Sequence, residues 1–410
     1  MNHMMNRNRQ SKTSRSLLST LLAAIVVVIG LIVSLFSDGE PQPTTTPPPI
    51  TVTARPATTV PSVTVTSSAP AGATTISIPQ GFGAERGFWQ VYFTAPTGSS
   101  NVSTYTGGID TALAQAINGA RGTLDIAAFE FNNPVLTTAV LDAHRRGVTV
   151  RMVTDNEHGL EDDDSTIPQF VAAGIPVVDD SRTALMHNKF MIIDGSVVWT
   201  GSWNYTINDT YRNNNNAIAL RSRRAVQSYQ AEFNEMFERK EFGPRSSIGN
   251  GANFNQDGTP IRVLFAPEDD VVGAITQTLS AADTSIRFMT FSFTVDSIAQ
   301  VIQSRAAAGV QVQGIFETTG SETAFSELRP LFCAGLPVRQ DGNGYILHHK
   351  VFIVDDDTVI TGSFNISDSA TRSNDENLVV IQDAVLAAQY IAEFNRRWAE
   401  AKTPTRLTCS

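Results

Sequence analysis

His187-Asn188-Lys189, then four residues, Asp194, then six residues, Gly201-Ser202-Trp203-Asn204: this stretch returns 161 positions later as His348-His349-Lys350, four residues, Asp355, six residues, Gly362-Ser363-Phe364-Asn365, with no gap. The match continues outward. Phe129 and Phe131 correspond to Phe291 and Phe293, and Gly147-Val148 to Gly309-Val310. Ala173-Gly174-Ile175-Pro176-Val177 corresponds to Ala334-Gly335-Leu336-Pro337-Val338, and Tyr229-Gln230-Ala231-Glu232-Phe233-Asn234 to Tyr390-Ile391-Ala392-Glu393-Phe394-Asn395. The offset stays at 161 or 162. Solenoid units run to about 20–50 residues, so a period this long marks a duplicated domain. Two copies packed around a pseudo-two-fold axis would set their motifs face to face.

Hydrophobic spacing within each copy alternates between strand and helix. In the first, helices are expected over 109–120, 135–146, 167–173 and 225–239, and strands over 124–131, 148–154, 189–193, 197–201 and 217–220. Gly147 and Gly174 sit where helices stop, and Asp194-Gly195 sits at a hairpin turn. The second copy repeats the series over 286–293, 298–308, 310–316, 325–333, 351–354, 359–362, 378–381 and 385–400. The predicted class is α/β, with two tandem lobes of mixed sheet flanked by helices. The expected bounds are 84–245 for the first lobe, 246–258 for a polar, Gly-rich linker, 259–403 for the second lobe and 404–410 for a tail.

The N-terminus reads as a membrane device. Residues 17–36 are uncharged and mostly apolar, about the length that spans a bilayer. Arg7, Arg9, Lys12 and Arg15 precede them, and Asp38 and Glu40 follow. The charge asymmetry places residues 1–16 in the cytoplasm and the lobes outside. An uncleaved signal anchor is favoured over a cleaved signal peptide, because the apolar core is long and Leu35-Phe36-Ser37 makes a poor cleavage site. Residues 37–83, rich in Pro, Thr and Ser, read as a disordered stalk.

The chain of 410 residues has a net charge of −10; without the four cations of residues 1–16 it holds 26 basic against 40 acidic groups, a net of −14. That balance argues against nonspecific binding to a polyanion, though not against a local basic groove. Cys333 and Cys409 exclude a disulfide framework but leave one bridge open if the lobes are exported.

Each motif supplies an imidazole, an ammonium, a hydroxyl and an amide. Cleaving a phosphodiester needs a nucleophile, an acid for the leaving oxygen and donors for the phosphoryl oxygens. Imidazole serves for the first two near neutral pH. Lys189, Lys350, Asn204 and Asn365 suit the donors, with Ser202 and Ser363 either donating to phosphate or bracing the loops. The doubled His-x-Lys-x4-Asp-x6-Gly-Ser-x-Asn pattern resembles the phospholipase D superfamily over roughly residues 85–403. The resemblance implies two α/β lobes sharing one active site and a covalent phosphohistidine. It implies no cofactor or metal, and substrates ranging over phospholipids and nucleic acids. It also implies a carboxylate near each histidine, eleven residues beyond the motif asparagine. Glu376 fills that position in the second copy, whereas Asn215, within Asn213-Asn214-Asn215-Asn216, departs from it in the first. On chain position, Glu376 is expected to charge His348 as the general acid and base, and Asn215 to orient a neutral His187 as the nucleophile.

Other residues take blander readings. Asp194 and Asp355 end apolar strands at turns and are expected to be structural. His349 should point away from the site, since strand side chains alternate. His144, beside Arg145 and Arg146, reads as a solvated face. His158, among Glu157, Glu161, Asp162, Asp163 and Asp164, reads as a solvated loop before a metal site. Trp203 and Phe364 suit either a pocket entrance or packing. Sequons at Asn101, Asn204, Asn208 and Asn365 include two motif asparagines and read as coincidental.

The expected function is a membrane-anchored, extracytoplasmic phosphodiesterase acting on phospholipid. A nuclease of the same superfamily is the alternative, and an inactive binding module the third. One duplicated chain completes the site, so a monomer with no obligatory protein partner is expected.

Overall fold

In the computed structural model, residues 72–246 and 249–409 are described. The expected span at 17–36 and most of the expected stalk lie outside them. Among the described residues, no helix is long and apolar enough to cross a membrane.

The strand Lys189–Ile193 shows why the motif sits where it does. Phe190 and Ile192 pack into one core while Met191 and Ile193 pack into another. Its copy divides likewise, with Val351 and Ile353 on one side and Phe352 and Val354 on the other. A strand buried on both faces reads as an unbroken apolar run and takes a central position in its sheet.

The first sheet comprises β1 (Thr74–Ile76), β2 (Gly81–Arg86), β3 (Trp89–Thr94), β4 (Thr123–Ala128), β5 (Thr149–Thr154), β6 (Val177–Asp179), β7 (Lys189–Ile193), β8 (Val197–Gly201) and β9 (Asn216–Leu220). Its order is β1-β2-β3-β9-β8-β7-β4-β5-β6. The second comprises β10 (Ala252–Gln256), β11 (Thr259–Ala266), β12 (Ser285–Thr290), β13 (Gln311–Phe316), β14 (Val338–Gln340), β15 (Lys350–Val354), β16 (Thr358–Gly362) and β17 (Glu376–Gln382). Its order, β10-β11-β17-β16-β15-β12-β13-β14, repeats the first from β2 onward. In each sheet three strands run parallel (β4-β5-β6 and β12-β13-β14) and the rest pair antiparallel.

One core joins the lobes. Trp89, Phe93 and Phe190 of the first sheet and Val263, Phe265 and Val379 of the second share it with Tyr229 and Phe233 of the helix Arg223–Asn234 and Tyr390 and Phe394 of the helix Ala384–Glu400. Separate cores lie beneath the outer helices of each lobe. One of these, Pro134–Arg145, starts at Asn133, whose side chain accepts the Val135 and Leu136 amide N–H groups. That removes two orphan donors, worth about 1 kcal/mol at such a cap.

The central elements follow the sequence expectation closely, but the margins do not. β1 and the first half of β2 lie within the span read as stalk, so the first sheet begins before residue 84. β10 lies within the span read as linker and pairs with β11. Its sequence, Ala-Asn-Phe-Asn-Gln, sits at a sheet edge, where polar residues replace the apolar alternation that identifies central strands. Cys409, in the expected tail, is bonded to Cys333, with their Cα atoms 5.4 Å apart.

Candidate active site

Both motif lysines open the central strands β7 and β15, and the motif histidines lie two residues before them. Each lysine Nζ donates to the carbonyl of its own histidine at 2.9 Å. Each ammonium lies over an aromatic ring, Lys189 over Phe129 and Lys350 over Phe291. The same rings meet the imidazoles edge-on, Phe129 with His187 and Phe291 with His348. Only the duplication had drawn notice to these phenylalanines; the structure makes them walls of the site.

The lobes interlock through their motif loops. The His187 N–H donates to the Asp375 carbonyl and the His348 N–H to the Asn214 carbonyl, both at 2.9 Å. This exchange carries the histidine partners across the interface. His187 Nδ1 lies 2.8 Å from Glu376 Oε2, and His348 Nδ1 lies 3.0 Å from Asn215 Oδ1. The pairings expected from chain position, Glu376 with His348 and Asn215 with His187, are therefore reversed. The physical reason is the exchange itself: the segment before β17 pairs with the first lobe and the segment before β9 with the second.

The motif serines serve these partners. Ser202 Oγ donates to Asn215 Oδ1 at 2.8 Å, and Ser363 Oγ to Glu376 Oε2 at 2.6 Å. Both are fully buried and donate their hydroxyl protons to these partners, which is the bracing that was one of the two roles expected of them. Gly201 and Gly362 precede them at φ 143° and 154°, where a Cβ would lie 2.4 Å from the Asn216 carbonyl oxygen and 2.2 Å from that of Asn377. Only glycine allows β8 and β16 to end that close to the neighbouring strand. Asn204 and Asn365 each have a buried Oδ1 with no hydrogen-bond partner, and Asn204 Nδ2 donates to Glu130 Oε2 at 3.2 Å.

Asn216 and Asn377 also cross between lobes. Asn377 Oδ1 accepts from Thr200 and from the Tyr229 hydroxyl, and its Nδ2 donates to Asn188. Asn216 Oδ1 accepts from Thr361 and the Tyr390 hydroxyl, and its Nδ2 donates to His349 Nδ1. His349, whose Nε2 meets Glu393, is thus buried on the face away from His348 and Lys350, as strand alternation predicts. Asp194 and Asp355 lie at the far ends of their hairpins. Asp194 accepts the amides of residues 121–123 and Asp355 those of residues 283–285, which holds both carboxyls below the usual range against the opposing effect of burial. Trp203 and Phe364 pack in the outer cores.

Burial dominates the electrostatics. It holds both imidazoles well below their ordinary range, and the two lysines add to the effect. His187 is among the groups that hold His348 down. Burial also lowers Lys189 to about 8 and depresses Lys350, while it pushes Glu376 up to about 8 against the pull of both lysines. With His187 neutral and Glu376 ionised, Nδ1–H donates to the carboxylate and Nε2 keeps the lone pair.

Two acidic groups at the site, Asp209 and Glu130, escaped sequence reasoning, and a third group, His158, lies nearer to it than expected. Asp209 Oδ2 lies 3.5 Å from His348 Nδ1. Glu130, pushed up to about 7 by burial and by Asp209, has Ser292 as its counterpart. His158 is exposed, but its ring packs 4.9 Å from Phe129 and its charge acts on His187. The loop read as solvated therefore forms part of the rim. Among the described residues, no group of three or more His, Cys, Asp or Glu is placed to hold a metal ion.

The family profile described as "Cardiolipin synthase, PLD-like domain" matches residues 113–237 and 275–398, one match per lobe. The mitochondrial cardiolipin hydrolase of Xenopus tropicalis is 39% identical over 127 residues, 31% of this chain and 59% of that protein. The phospholipase D of Rickettsia bellii is 32% identical over 139 residues, 34% of this chain and 69% of that protein. The chain thus spans only 59% of the length of its Xenopus relative. The phosphatidylserine synthase of Haemophilus influenzae shares the fold, with a TM-score of 0.58, 16% identity, and coverage of 74% of this chain and 88% of that one.

Proposed function

We propose that this chain, which belongs to the phospholipase D-like family, is a phosphodiesterase that cleaves or transfers phospholipid head groups through a phosphohistidine on His187. The observation that carries the reading is the crossed bracing of two neutral imidazoles, each held at Nδ1 by the opposite lobe, beside two buried lysines.

The chemistry follows from that geometry. The phosphodiester anion enters between Lys189 and Lys350, whose charge burial disfavours and the anion restores. Asn204 and Asn365 donate to its oxygens. His187 Nε2 attacks phosphorus. Positive charge develops on the ring, and Glu376 stabilises it at Nδ1. The bond to the leaving oxygen breaks as His348, protonated beside the anion, gives that oxygen its proton. Water then attacks phosphorus and passes its proton to His348, and the P–N bond breaks to restore His187. An alcohol in place of water gives head-group transfer. These steps use the chain's own residues only.

Relatives named for cardiolipin hydrolysis and phospholipase D activity support a lipid substrate. So does the exposed acidic run Glu161 to Asp164 beside the site, which repels a long polyanion. The same proposal keeps residues 17–36 as a membrane anchor with the lobes extracytoplasmic. The Cys333–Cys409 bond is in keeping with an oxidising compartment. Both histidines come from one chain, which supports a monomer. The test is to incubate residues 72–410 in chelator with phosphatidylcholine vesicles, cardiolipin vesicles and plasmid DNA. Release of head group or phosphatidate is expected; plasmid cleavage without lipid cleavage would transfer the activity to nucleic acid.

A further inference from the structure

The lobes differ at two aligned positions in a complementary way. Where the second copy has Ala370 and Glu376, the first has Asp209 and Asn215. Each copy keeps one carboxylate, but it stands six residues earlier in the first. Both carboxylates reach a histidine of the opposite lobe: Glu376 meets His187 Nδ1 at 2.8 Å, and Asp209 Oδ2 stands 3.5 Å from His348 Nδ1. Asn215 Oδ1 is the direct acceptor at 3.0 Å, and Asn215 Nδ2 donates to the Asp209 carbonyl at 3.1 Å. Asp209 is itself buried and fixed, accepting the Asn204 N–H at 2.8 Å and the Asn213 side-chain amide.

We infer that Asp209 is a positioning residue for His348, supplying from a displaced position the carboxylate that Asn215 lacks. The inference rests on the phosphodiesterase reading above and deepens it. Position 209 serves this purpose because both of its neighbours are already part of the machinery. Through the Asn204 N–H it holds the loop of a phosphate donor, and through Asn215 and its own Oδ2 it faces the imidazolium that forms when His348 takes a proton. Lys350, Lys189, His187 and His349 all disfavour charge on His348, and the Phe291 edge packs against its ring. Asp209, with Oδ2 3.5 Å from Nδ1, is a carboxylate in contact with that ring, and its charge favours the acid form. Burial raises the Asp209 carboxyl, while Asn213, the Asn204 N–H and the two lysines oppose the rise.

The test combines kinetics on an alkyl phosphodiester with a ring-nitrogen NMR titration of His348 in the full chain, the signal being assigned by its loss in His348→Gln. Asp209→Asn keeps an acceptor for Asn204 but removes the charge. Expected are a fall in kcat of about tenfold or more, KM within about threefold, and a more acidic His348 titration, the scale of one lost charge-assisted contact. Asp209→Ala with Asn215→Glu copies the second lobe's arrangement, and should recover most of the loss and return the titration toward wild type. An unchanged His348 titration in Asp209→Asn overturns the inference even if activity falls, because the role is then only to hold the loop. Failure of the folded double variant to restore both kcat and titration overturns it too. A wild-type chain that turns over no diester defeats the phosphodiesterase reading instead, and the titration still reports on the Asp209–His348 contact.

Discussion

Replacing Glu376 by Gln isolates the charge behind the nucleophile. The side chain is fully buried, with Oε2 2.8 Å from His187 Nδ1 and accepting from Ser363 Oγ at 2.6 Å. Glutamine keeps the shape and an acceptor. What it loses, above pH 8 where the carboxyl is ionised, is the attraction to positive charge that grows on His187 as the P–N bond forms. A hydrogen bond to a charged group contributes about 1.5–3 kcal/mol, and at 1.4 kcal/mol per decade kcat should fall about 10- to 100-fold. Stability should move the other way. A carboxyl pushed up to about 8 is still protonated in the folded chain where its unfolded counterpart, at 4.5, has ionised. The folded state then binds the extra proton, so this group costs stability as pH rises from about 4.5 to 8, and glutamine removes the cost. The assay is a pre-steady-state burst with a p-nitrophenyl phosphodiester, alongside urea denaturation at pH 8. A kcat within twofold of wild type, or a burst unaltered in rate, would refute the role assigned to Glu376.

Three further outcomes follow from the same structure. With a p-nitrophenoxide leaving group that needs no proton, His348→Ala should still accumulate the phosphoenzyme and His187→Ala should not, as followed by intact-mass spectrometry; the opposite pattern reverses the two roles. Asn377→Leu strands Thr200, Tyr229 and Asn188 at the lobe interface and should cost about 3–5 kcal/mol in urea denaturation, with under about 1 kcal/mol contradicting the crossed bracing. Asp341, pushed up to about 8 by burial and by Glu317, loses stability between its unfolded value of 3.8 and 8; Asp341→Asn should gain on wild type by at most about 3 kcal/mol between pH 5.5 and 8 and level off above, and a constant difference across that range would contradict the shift.

The duplication, the α/β class and the two motifs were legible in the chain because each depends on local spacing. Unbroken apolar runs placed β7 and β15 at the centres of their sheets, and the turn residues Asp194 and Asp355 marked their far ends. Edge strands such as β1 and β10 were not legible, since a strand with one solvated margin needs no apolar pattern. Asp209 carried one available signal, its complementarity with Ala370 at the same offset that aligns Asn215 with Glu376.

By itself the sequence determined which groups the chain has for phosphoryl chemistry, since two copies of one motif fix side-chain types and their order along each strand. Which partner braces which histidine was decided only by tertiary structure. His187 and Glu376 are 189 residues apart, and no local spacing encodes their meeting. They meet because the lobes pack about a shared core and exchange backbone pairs at the seam, which hands each lobe's carboxylate and amide to the other lobe's imidazole.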